Sequence, residues 1–305
     1  MVIKFSDCEK FQIGLLPAVY GVEFAVALAG NLFALWVLFI RKRRNWHSGV
    51  VLSCNLAISD LLYILTLPLL IVYYALQKHW VFGEAVCKIE RFLFTCNLYV
   101  SIFFIMAISV NRCVGIVWPF FTRSHVEPSH VKAISVIIWI IVGVISCPVL
   151  TFASLCKHSY NNNTLCVSFC NQTSDPKSVL TYNMFLAVFG CLVPFIITFT
   201  SYCFVIRVVW KNVNITTLEK RQVALLISSV IVLYAVSFVP YHVFQIYHLY
   251  LRIYPHNTHC WVYKMYQVSK GLATLNMCIH PILYMAVLDS IRVACCGKSS
   301  EDNIG

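Results

Sequence analysis

The stretch "NMCIHPILYM", residues 276–285, lies in a long apolar segment but contains an asparagine, a histidine and a proline. A proline inside a helix removes a backbone hydrogen bond, and a buried imidazole loses its hydration. A membrane-spanning helix tolerates such a proline because neighbouring groups take up the freed backbone carbonyl. The stretch is therefore typical of a helix inside a membrane.

The composition of the whole chain also indicates an integral membrane protein. Of the 305 residues, 60% are hydrophobic and only 11% are charged, and the mean hydropathy is +0.77. In a soluble domain about a quarter of the residues are charged. The net charge of +11 points to contacts with the lipid bilayer and an anionic ligand, and not to a nucleic-acid polymer.

Apolar segments of about 20 residues are long enough to cross a bilayer as helices. Seven segments of the chain meet this requirement, at residues 12–40, 48–76, 86–117, 130–154, 178–209, 222–250 and 262–286. We therefore predict an all-α membrane protein, a seven-transmembrane helix bundle over residues 12–286 preceded by an extracellular amino terminus, residues 1–11. Residues 287–305 are predicted to form a short amphipathic eighth helix on the membrane surface and a short cytoplasmic tail.

The distribution of lysine and arginine predicts the orientation of the chain in the membrane. These residues, beginning with the run Arg41 to Arg44, are more frequent in the loops of one side, and such loops face the cytoplasm. We expect a multi-pass protein of the plasma membrane with its amino terminus extracellular and its carboxyl terminus cytoplasmic. Glycosylation sequons at Asn162 and Asn171 fall on the predicted outer side.

Many of the fifteen cysteines also fall on the predicted outer side, namely Cys8, Cys87, Cys156, Cys166, Cys170 and Cys260. Six cysteines allow fifteen pairings, so the sequence alone does not choose among them. Two others, Cys295 and Cys296, lie where a membrane-surface helix would be palmitoylated. A pair of free thiols in the tail is the alternative.

Each of the seven segments carries a short motif. In chain order these are Gly30-Asn31, "NLAISDLL" at 55–62, "ISVNRCVGIVWPF" at 108–120, Trp139, Pro194 with Tyr202, "SFVPYH" at 237–242 and "HPILY" at 280–284. One motif alone is weak evidence, but all seven in this order resemble the rhodopsin-like (class A) G-protein-coupled receptors over nearly the whole chain.

Longer runs resemble one family of these receptors. They are "HWVFGEAVCKIERFLF" at 79–94, "FVPYHVFQ" at 238–245 and "YQVSKGLATLNMCIHPILYM" at 266–285, and they are similar to the metabotropic purinergic receptors, which respond to extracellular nucleotides such as ATP. Two further runs, at 111–130 and 218–229, resemble one subtype of that family most.

The resemblance implies a switch that reaches the inner surface. Pro281 would bend helix seven and Pro240 would act as a hinge in helix six. Tyr284 would swing inward on activation, Tyr202 would belong to the same switch, and Arg112 would bind a heterotrimeric G protein once helix six moves outward. The expected outputs are phospholipase C with calcium, adenylyl cyclase, or both.

Two departures from the family pattern concern Arg112. Asn111 stands where most relatives carry an acid, and Lys220 stands where some relatives supply a second anion on helix six. The neighbouring Glu219 could compensate weakly. We therefore expect a loosely held inactive state with measurable basal signalling.

A central polar cluster is also implied by the resemblance, formed by Asn31, Asp60, Ser101 and Asn276. Most relatives hold a sodium ion there. His280 replaces the aspartate that usually precedes the proline, so sodium binding should be weaker. An imidazole beside Asp60 could take a proton instead, and a neutral histidine that is hydrogen-bonded in the core is the alternative.

The ligand site is expected to open outward between helices three, six and seven. Helical spacing puts three sets of residues on facing sides: Arg91, Thr95 and Tyr99; His242 and Gln245; and Tyr263, Tyr266 and Lys270, with Tyr63 at the floor. Arg91 and Lys270 are cations within predicted membrane segments, where unpaired charge is expensive, so an anion is the natural ligand. Snorkelling of both side chains to the outer lipid headgroups is the alternative.

Gln245 weakens the nucleotide interpretation, because relatives usually carry arginine or lysine at this position. Arg252, Lys264 or Lys88 at the rim could substitute for it. Otherwise the ligand would carry less charge, as a diphosphate, a dicarboxylate or a lysophospholipid does.

The family resemblance also implies disulfide bonds. Cys87 would be bonded to Cys166 or Cys170 of the second outer loop. The number of residues between each of these cysteines and Pro194 favours Cys166. Cys8 would pair with Cys260, and Cys156 with Cys170.

The sequence contains no catalytic constellation, no zinc-ligand spacing and no glycine-rich phosphate loop. We therefore expect a protein that is not an enzyme and holds no metal or cofactor. A transporter or channel is a remote alternative, disfavoured by the odd number of helices and by the small number of deep carboxylates.

Overall fold

The computed structural model of the protein describes residues 3–42, 48–125, 127–157, 163–170, 175–213, 215–254 and 260–296. Within these ranges the side chains of residues 3–9, 41, 42, 123, 125, 128 and 283–296 are not described. The described chain is almost entirely helical. Its helices are α1 (Ile3–Lys42), α2 (Ser48–Ile64), α3 (Leu67–Ala75), α4 (Gly83–Val117), α5 (Pro119–His125), α6 (Pro128–Ser146), α7 (Pro148–Phe152), α8 (Pro176–Phe185), α9 (Val193–Lys211), α10 (Thr217–Ile253) and α11 (Cys260–Cys296).

Two of the predicted membrane segments are each divided by a proline. The second segment is divided into α2 and α3 ahead of Pro68, and the fourth into α6 and α7 ahead of Pro148. A proline has no N–H to donate and disfavours helical geometry in the residue before it. At the first break both the backbone N–H and the hydroxyl of Thr66 donate to the Tyr63 carbonyl, each at 2.8 Å.

The fifth predicted segment contains a stretch of π-helix. Residues Leu186–Leu192 lie between α8 and α9 and form one wide turn of this kind. The segment begins at an N-cap, where Asp175 accepts hydrogen bonds from the backbone of Lys177 and Ser178. The hydrogen bonds from Ser178 lower the pKa of the Asp175 carboxyl group below its usual value. Such π-turns shift the register of a helix and commonly occur at functional sites.

Three helices extend beyond their predicted bounds by at least five residues at one end, namely α1, α10 and α11. α1 begins at Ile3 rather than at residue 12, since the chain has no glycine or proline before Gly14 to stop it. α10 begins at Thr217, directly after the capping box that Thr216 forms with Glu219. α11 continues to Cys296 as one helix, so the predicted eighth helix is not a separate element. Residues 282–296 contain neither glycine nor proline, and nothing local breaks the helix there.

The helices pack as a bundle around α4. α4 contacts α2, α6 and α9, while α11 packs between α1 and α10. Six helical spans in the described chain are long and apolar enough to cross a membrane: Lys10–Ile40, Ser48–Ala75, Gly83–Val117, Ser129–Phe152, Pro176–Lys211 and Thr217–Ile253. α11 is not among these six. Its first half carries Lys264, Gln267 and Lys270.

The connection from α7 to α8, which we name the second outer loop after the predicted orientation, forms a β-hairpin that the sequence analysis did not predict. β1 (Ser154–Lys157) and β2 (Thr164–Val167) are antiparallel, and Leu155 lies opposite Cys166. A disulfide bond joins Cys87 at the start of α4 to Cys166 in β2, and a second joins Cys156 to Cys170. These bonds hold the hairpin against the outer end of the bundle.

Candidate functional site

Arg91 lies inside the outer half of the bundle, only 5% exposed. Its Nη2 atom donates to the carbonyl of Cys166 at 3.1 Å, so the arginine is held by the disulfide-bonded hairpin. Its Nε atom lies 3.2 Å from a carboxylate oxygen of Glu90, which is 1% exposed. From the sequence, Arg91 is counted among the membrane cations whose unpaired charge calls for an anion. The structure corrects this, because Glu90 is buried beside it.

Lys270 is the second buried cation of the site and is 6% exposed. Its Nζ atom lies 5.0 Å from the centre of the Phe94 ring, a cation–π contact. Within the described part of the chain, no carboxylate lies within 4.0 Å of this ammonium group. A cation–π contact offsets only part of the desolvation of a buried ammonium group. Together, Arg91, Lys270 and Glu90 carry a net charge of +1.

Aromatic rings connect the helices around these cations. Phe94 of α4 contacts Tyr63 of α2 at 5.6 Å and Tyr241 of α10 at 5.7 Å between ring centres. Tyr241 in turn stacks on Tyr266 of α11 at 6.1 Å. The rings bring the predicted residues Tyr63, Tyr266 and Lys270 to one region. Phe94 and Tyr241 were missed, although Phe94 is three residues from Arg91, a spacing that places both on one helix face.

Below this region a hydrogen bond joins α4 to α10. The Tyr99 hydroxyl lies 3.0 Å from His242 Nε2, and His242 Nδ1 lies 2.8 Å from the carbonyl of Phe238. A carbonyl only accepts, so Nδ1 is the donor, and Nε2 of the neutral ring accepts from Tyr99. Thr95, between Arg91 and Tyr99, donates to the Arg91 carbonyl within its own helix at 2.9 Å.

The structure separates the three rim cations that could replace a charge at Gln245. Lys88 pairs with Glu84 at 2.9 Å on the surface of α4. The Nζ atom of Lys264 lies over the ring of Phe11 in α1 at 5.4 Å. Arg252 is on α10, the same helix as Gln245, and lies 5.7 Å from the centre of the Phe169 ring. Gln245 itself is half-buried.

A polar network at the outer end of α1 was missed by the sequence analysis. Gln12 donates to the Tyr74 hydroxyl at 2.9 Å and to Gln267 at 3.1 Å, and it accepts from the Tyr263 hydroxyl. Tyr263 is therefore bonded to α1. The signal available in the sequence was a glutamine at the start of an apolar segment, which is weak.

The central polar cluster contains the predicted residues and one more. Asp60 lies 2.9 Å from His280 Nδ1 through one oxygen and accepts from Asn97 at 2.9 Å through the other. Ser101 is buried nearby on α4, at 2% exposure. Asn97 was missed, although it is four residues from Ser101 and so on the same helix face. His280 is therefore hydrogen-bonded to the carboxylate in the core.

Asn31 and Asn276 complete the cluster from α1 and α11. Asn31 donates to the carbonyls of Ala27 at 2.9 Å and Met277 at 3.0 Å, and Asn276 donates to its own helix at Ala273. Gly30 allows this approach, because a Cβ atom there would lie 3.1 Å from the Pro281 ring.

A buried carboxylate on α1, Glu23, lies between this cluster and the cation pair. It is fully buried, and Thr274 of α11 donates to its Oε1 atom at 2.9 Å. Its Oε2 atom has no hydrogen-bond partner among the described residues.

At the inner end, Arg112 is buried, and its side chain is 8% exposed. Its Nε and Nη2 atoms have no hydrogen-bond partner within the described ranges. Tyr202 of α9 is close enough to interact with it electrostatically. Lys220 donates to the Trp210 carbonyl at 3.2 Å, and Glu219 caps α10 through Thr216. The carboxylate of Glu219 is thus bonded at the helix end and not to Arg112.

Several predicted residues lie outside what the structure describes. These are the sequons Asn162 and Asn171 and the side chains of Tyr284, Cys8, Cys295 and Cys296. Cys260, the predicted partner of Cys8, is disulfide-bonded.

The arrangement can hold an anion. It combines a lysine that no described carboxylate pairs with, an arginine fixed by a hairpin, and flat aromatic surfaces suited to stacking. No group of three or more potential metal ligands occurs in the described chain.

Comparisons with known proteins extend these observations. The chain matches the family model described as 7 transmembrane receptor (rhodopsin family) over residues 30–284. It is 40% identical to the human purinoceptor 11 in an alignment that covers 93% of this chain and 82% of that relative. It is 36% identical to purinoceptor 1 of Cavia porcellus and of Homo sapiens, with 92% of this chain and 76% of each relative covered. The subtype indicated by residues 111–130 and 218–229 is purinoceptor subtype eleven, and the similarity to the human purinoceptor 11 agrees with it.

Proposed function

The chain belongs to the rhodopsin family of seven-transmembrane receptors, with metabotropic purinoceptors among its relatives, and we propose that it is a G-protein-coupled receptor for an extracellular nucleotide such as ATP. It is a receptor and not an enzyme. As a member of this family it is a multi-pass protein of the plasma membrane, and we propose that its amino terminus is extracellular.

The observation that carries the nucleotide proposal is the environment of Lys270. This lysine is buried, and no described carboxylate is within ion-pair distance of its ammonium group. A buried charge without a partner is costly, so an anion that enters the site gains more than it would on the surface. Arg91 supplies a second cation, and guanidinium binds phosphate through two parallel hydrogen bonds.

The proposed signal runs from this site to the inner end. Phosphate bound by Arg91 and Lys270 joins α4 to α11, and the aromatic contact of Tyr241 with Tyr266 extends the connection to α10. The bond between His242 and Tyr99 lies directly beneath, close to Pro240. Movement of α10 would then open the region of Arg112 for a heterotrimeric G protein. The ligand drives this change only as far as it binds the active state more tightly than the inactive state.

One observation favours a second candidate. Gln245 is neutral and half-buried at the position where related receptors usually carry a cation. A ligand with fewer charges, such as a carboxylate metabolite or a lysophospholipid, requires fewer cations. The same architecture would then serve a different ligand.

The experiment compares both classes of ligand in cells that express the receptor and in mock-transfected cells. Calcium and cyclic AMP are measured after addition of ATP, ADP, UTP, UDP, succinate or lysophosphatidic acid. We expect a nucleotide response that Lys270→Met removes at equal surface expression, because methionine keeps the length of the side chain without the charge. Lys264→Met is the matched control. Silence to all nucleotides with a response to the carboxylate or the lysolipid would replace the proposal with its alternative.

A further inference from the structure

The outer part of α10 presents a continuous polar face to α11. Tyr241, Gln245, His248 and Arg252 are separated by four, three and four residues, a spacing that places them on one side of a helix. The His248 ring stacks on Tyr266 at 5.3 Å, with 12° between the ring planes. Since Tyr241 stacks on the same tyrosine, this face continues the wall of the cation site outward. Arg252 is its outermost member.

Arg252 is held over this wall by the second outer loop. Its guanidinium lies 5.7 Å from the centre of the Phe169 ring. Phe169 packs with Val179 and Leu249 in a small cluster of its own, and the next residue, Cys170, is bonded to Cys156. The loop thus fixes the ring on which the guanidinium rests.

The other two rim cations do not share this position. Lys264 contacts Phe11 of α1 and Lys88 pairs with Glu84 along α4. Arg252 interacts electrostatically with both Tyr263 and Tyr266. Tyr266 also interacts electrostatically with Arg91, so the inner and the outer arginine are both near this tyrosine.

The distance between the cations at the two ends of this wall favours a ligand whose negative charges are spread along its length. From Lys270 to Tyr263 the helix α11 rises about 10 Å, at about 1.5 Å per residue. A carboxylate or a single phosphate presents one anionic centre and cannot reach cations at both ends. A chain of phosphates can, because its charges are spread along its length and an extended arginine side chain adds reach.

We propose that Arg252 binds the terminal phosphate of a nucleoside triphosphate while Arg91 and Lys270 hold the phosphates nearer the nucleoside, an inference that rests on the proposed nucleotide function. Gln245 is neutral and cannot bind a phosphate by charge. Arg252, two helical turns further out on α10, would bind this phosphate instead. Arg252 is then the residue that distinguishes a triphosphate from shorter nucleotides.

The experiment measures competition by ATP, ADP and AMP against labelled ATP on membranes that contain the full-length receptor. We expect Arg252→Ala to weaken ATP binding about tenfold to a hundredfold, the range for one charge-assisted hydrogen-bond set, and to leave AMP nearly unchanged. Arg252→Lys should recover part of the loss. Lys264→Ala removes the same charge from the rim away from this wall and should preserve the ratio of ATP to AMP affinity.

Each of the other outcomes would overturn the inference, and each would point to a different reason. An equal loss for ATP, ADP and AMP, or the same loss in Lys264→Ala, would assign Arg252 to general electrostatic attraction of anions. Unchanged ATP binding in Arg252→Ala, with binding abolished in Lys270→Met, would overturn this inference alone. A wild-type receptor that binds no nucleotide would overturn the proposed function as well.

Discussion

The side-chain amide of Asn31 donates to the carbonyl of Met277 at 3.0 Å. This carbonyl is the one that would receive the N–H of residue 281 in a regular helix, and Pro281 has no N–H. The asparagine of α1 therefore satisfies the backbone group that the proline of α11 leaves free. The proline in "HPILY" is tolerated because a neighbouring helix supplies the donor.

We expect Asn31→Ala to destabilise the receptor by about 1–3 kcal/mol, since it leaves a buried carbonyl without a donor. The loss should be smaller in a Pro281→Ala background, because alanine restores the backbone N–H to Met277. The measurement is thermal unfolding of the purified receptor in detergent for all four proteins of the cycle. Equal losses in the two backgrounds would show that the proline and the asparagine act independently.

A second prediction concerns the packing of Gly190 in the π-helical stretch against Tyr99. A Cβ atom at this position would lie 2.5 Å from the Tyr99 ring, too close for any real contact. Gly190→Ala should therefore push Tyr99 away from His242 and lower stability by about 1–3 kcal/mol. Alanine normally favours a helix by up to about 1 kcal/mol over glycine.

Gly143→Ala in α6 is the matched control, because no described atom lies within 4 Å of the added methyl group. Both variants can be compared by thermal unfolding. We expect opposite signs, a loss at Gly190 and no loss or a gain at Gly143. A gain at both positions would contradict the close packing of Tyr99.

Removal of Arg91 should lower the stability of the fold as well as weaken ligand binding. Glu90 is buried beside it, and a carboxylate left alone in the interior is expected to destabilise the fold by about 3–5 kcal/mol. Arg91→Ala should therefore reach the cell surface poorly, and Glu90→Gln added to it should restore surface expression but not the nucleotide response. Antibody labelling of intact cells measures the first and calcium release the second. Failure of Glu90→Gln to raise expression would argue against the ion pair.

The environment of Arg112 predicts basal signalling. In Asn111→Asp a carboxylate is placed beside the guanidinium, and an ion pair of about 0.5–1 kcal/mol would favour the inactive state twofold to fivefold. We expect lower inositol phosphate or cyclic AMP levels without agonist in this variant than in the wild type. A wild type with no more basal signal than mock-transfected cells would contradict the loose inactive state.

Helix positions could be predicted from the sequence, while their irregularities could not. Apolar length indicated the seven segments, and the motifs around Asp60, Arg112 and Pro281 identified the family. The hairpin of β1 and β2 was missed because two strands of four residues carry little pattern, and disulfide bonds hold them in place. The π-stretch was missed because no sequence pattern marks it, and the close approach of Tyr99 to Gly190 joins distant parts of the chain.

The contents of the candidate site could be predicted only in part. Periodicity places Arg91 with Tyr99 and Lys270 with Tyr266, because these pairs share helix faces. It does not show that Glu90 turns inward to meet Arg91, since adjacent residues of a helix point in different directions. Nor does it show that Tyr263 bonds to Gln12, because that contact joins distant parts of the chain.

The nucleotide proposal is tested most directly by equilibrium binding of ATP to the purified wild-type receptor and to Lys270→Met, with Lys264→Met as the control. We predict saturable binding by the wild type and by the control. Lys270→Met should bind about tenfold to a hundredfold more weakly, in line with the loss of one charged hydrogen-bond partner. Equal affinities for all three proteins, or no ATP binding by a correctly folded wild type, would contradict the central claim that the buried lysine holds the phosphates of a nucleotide.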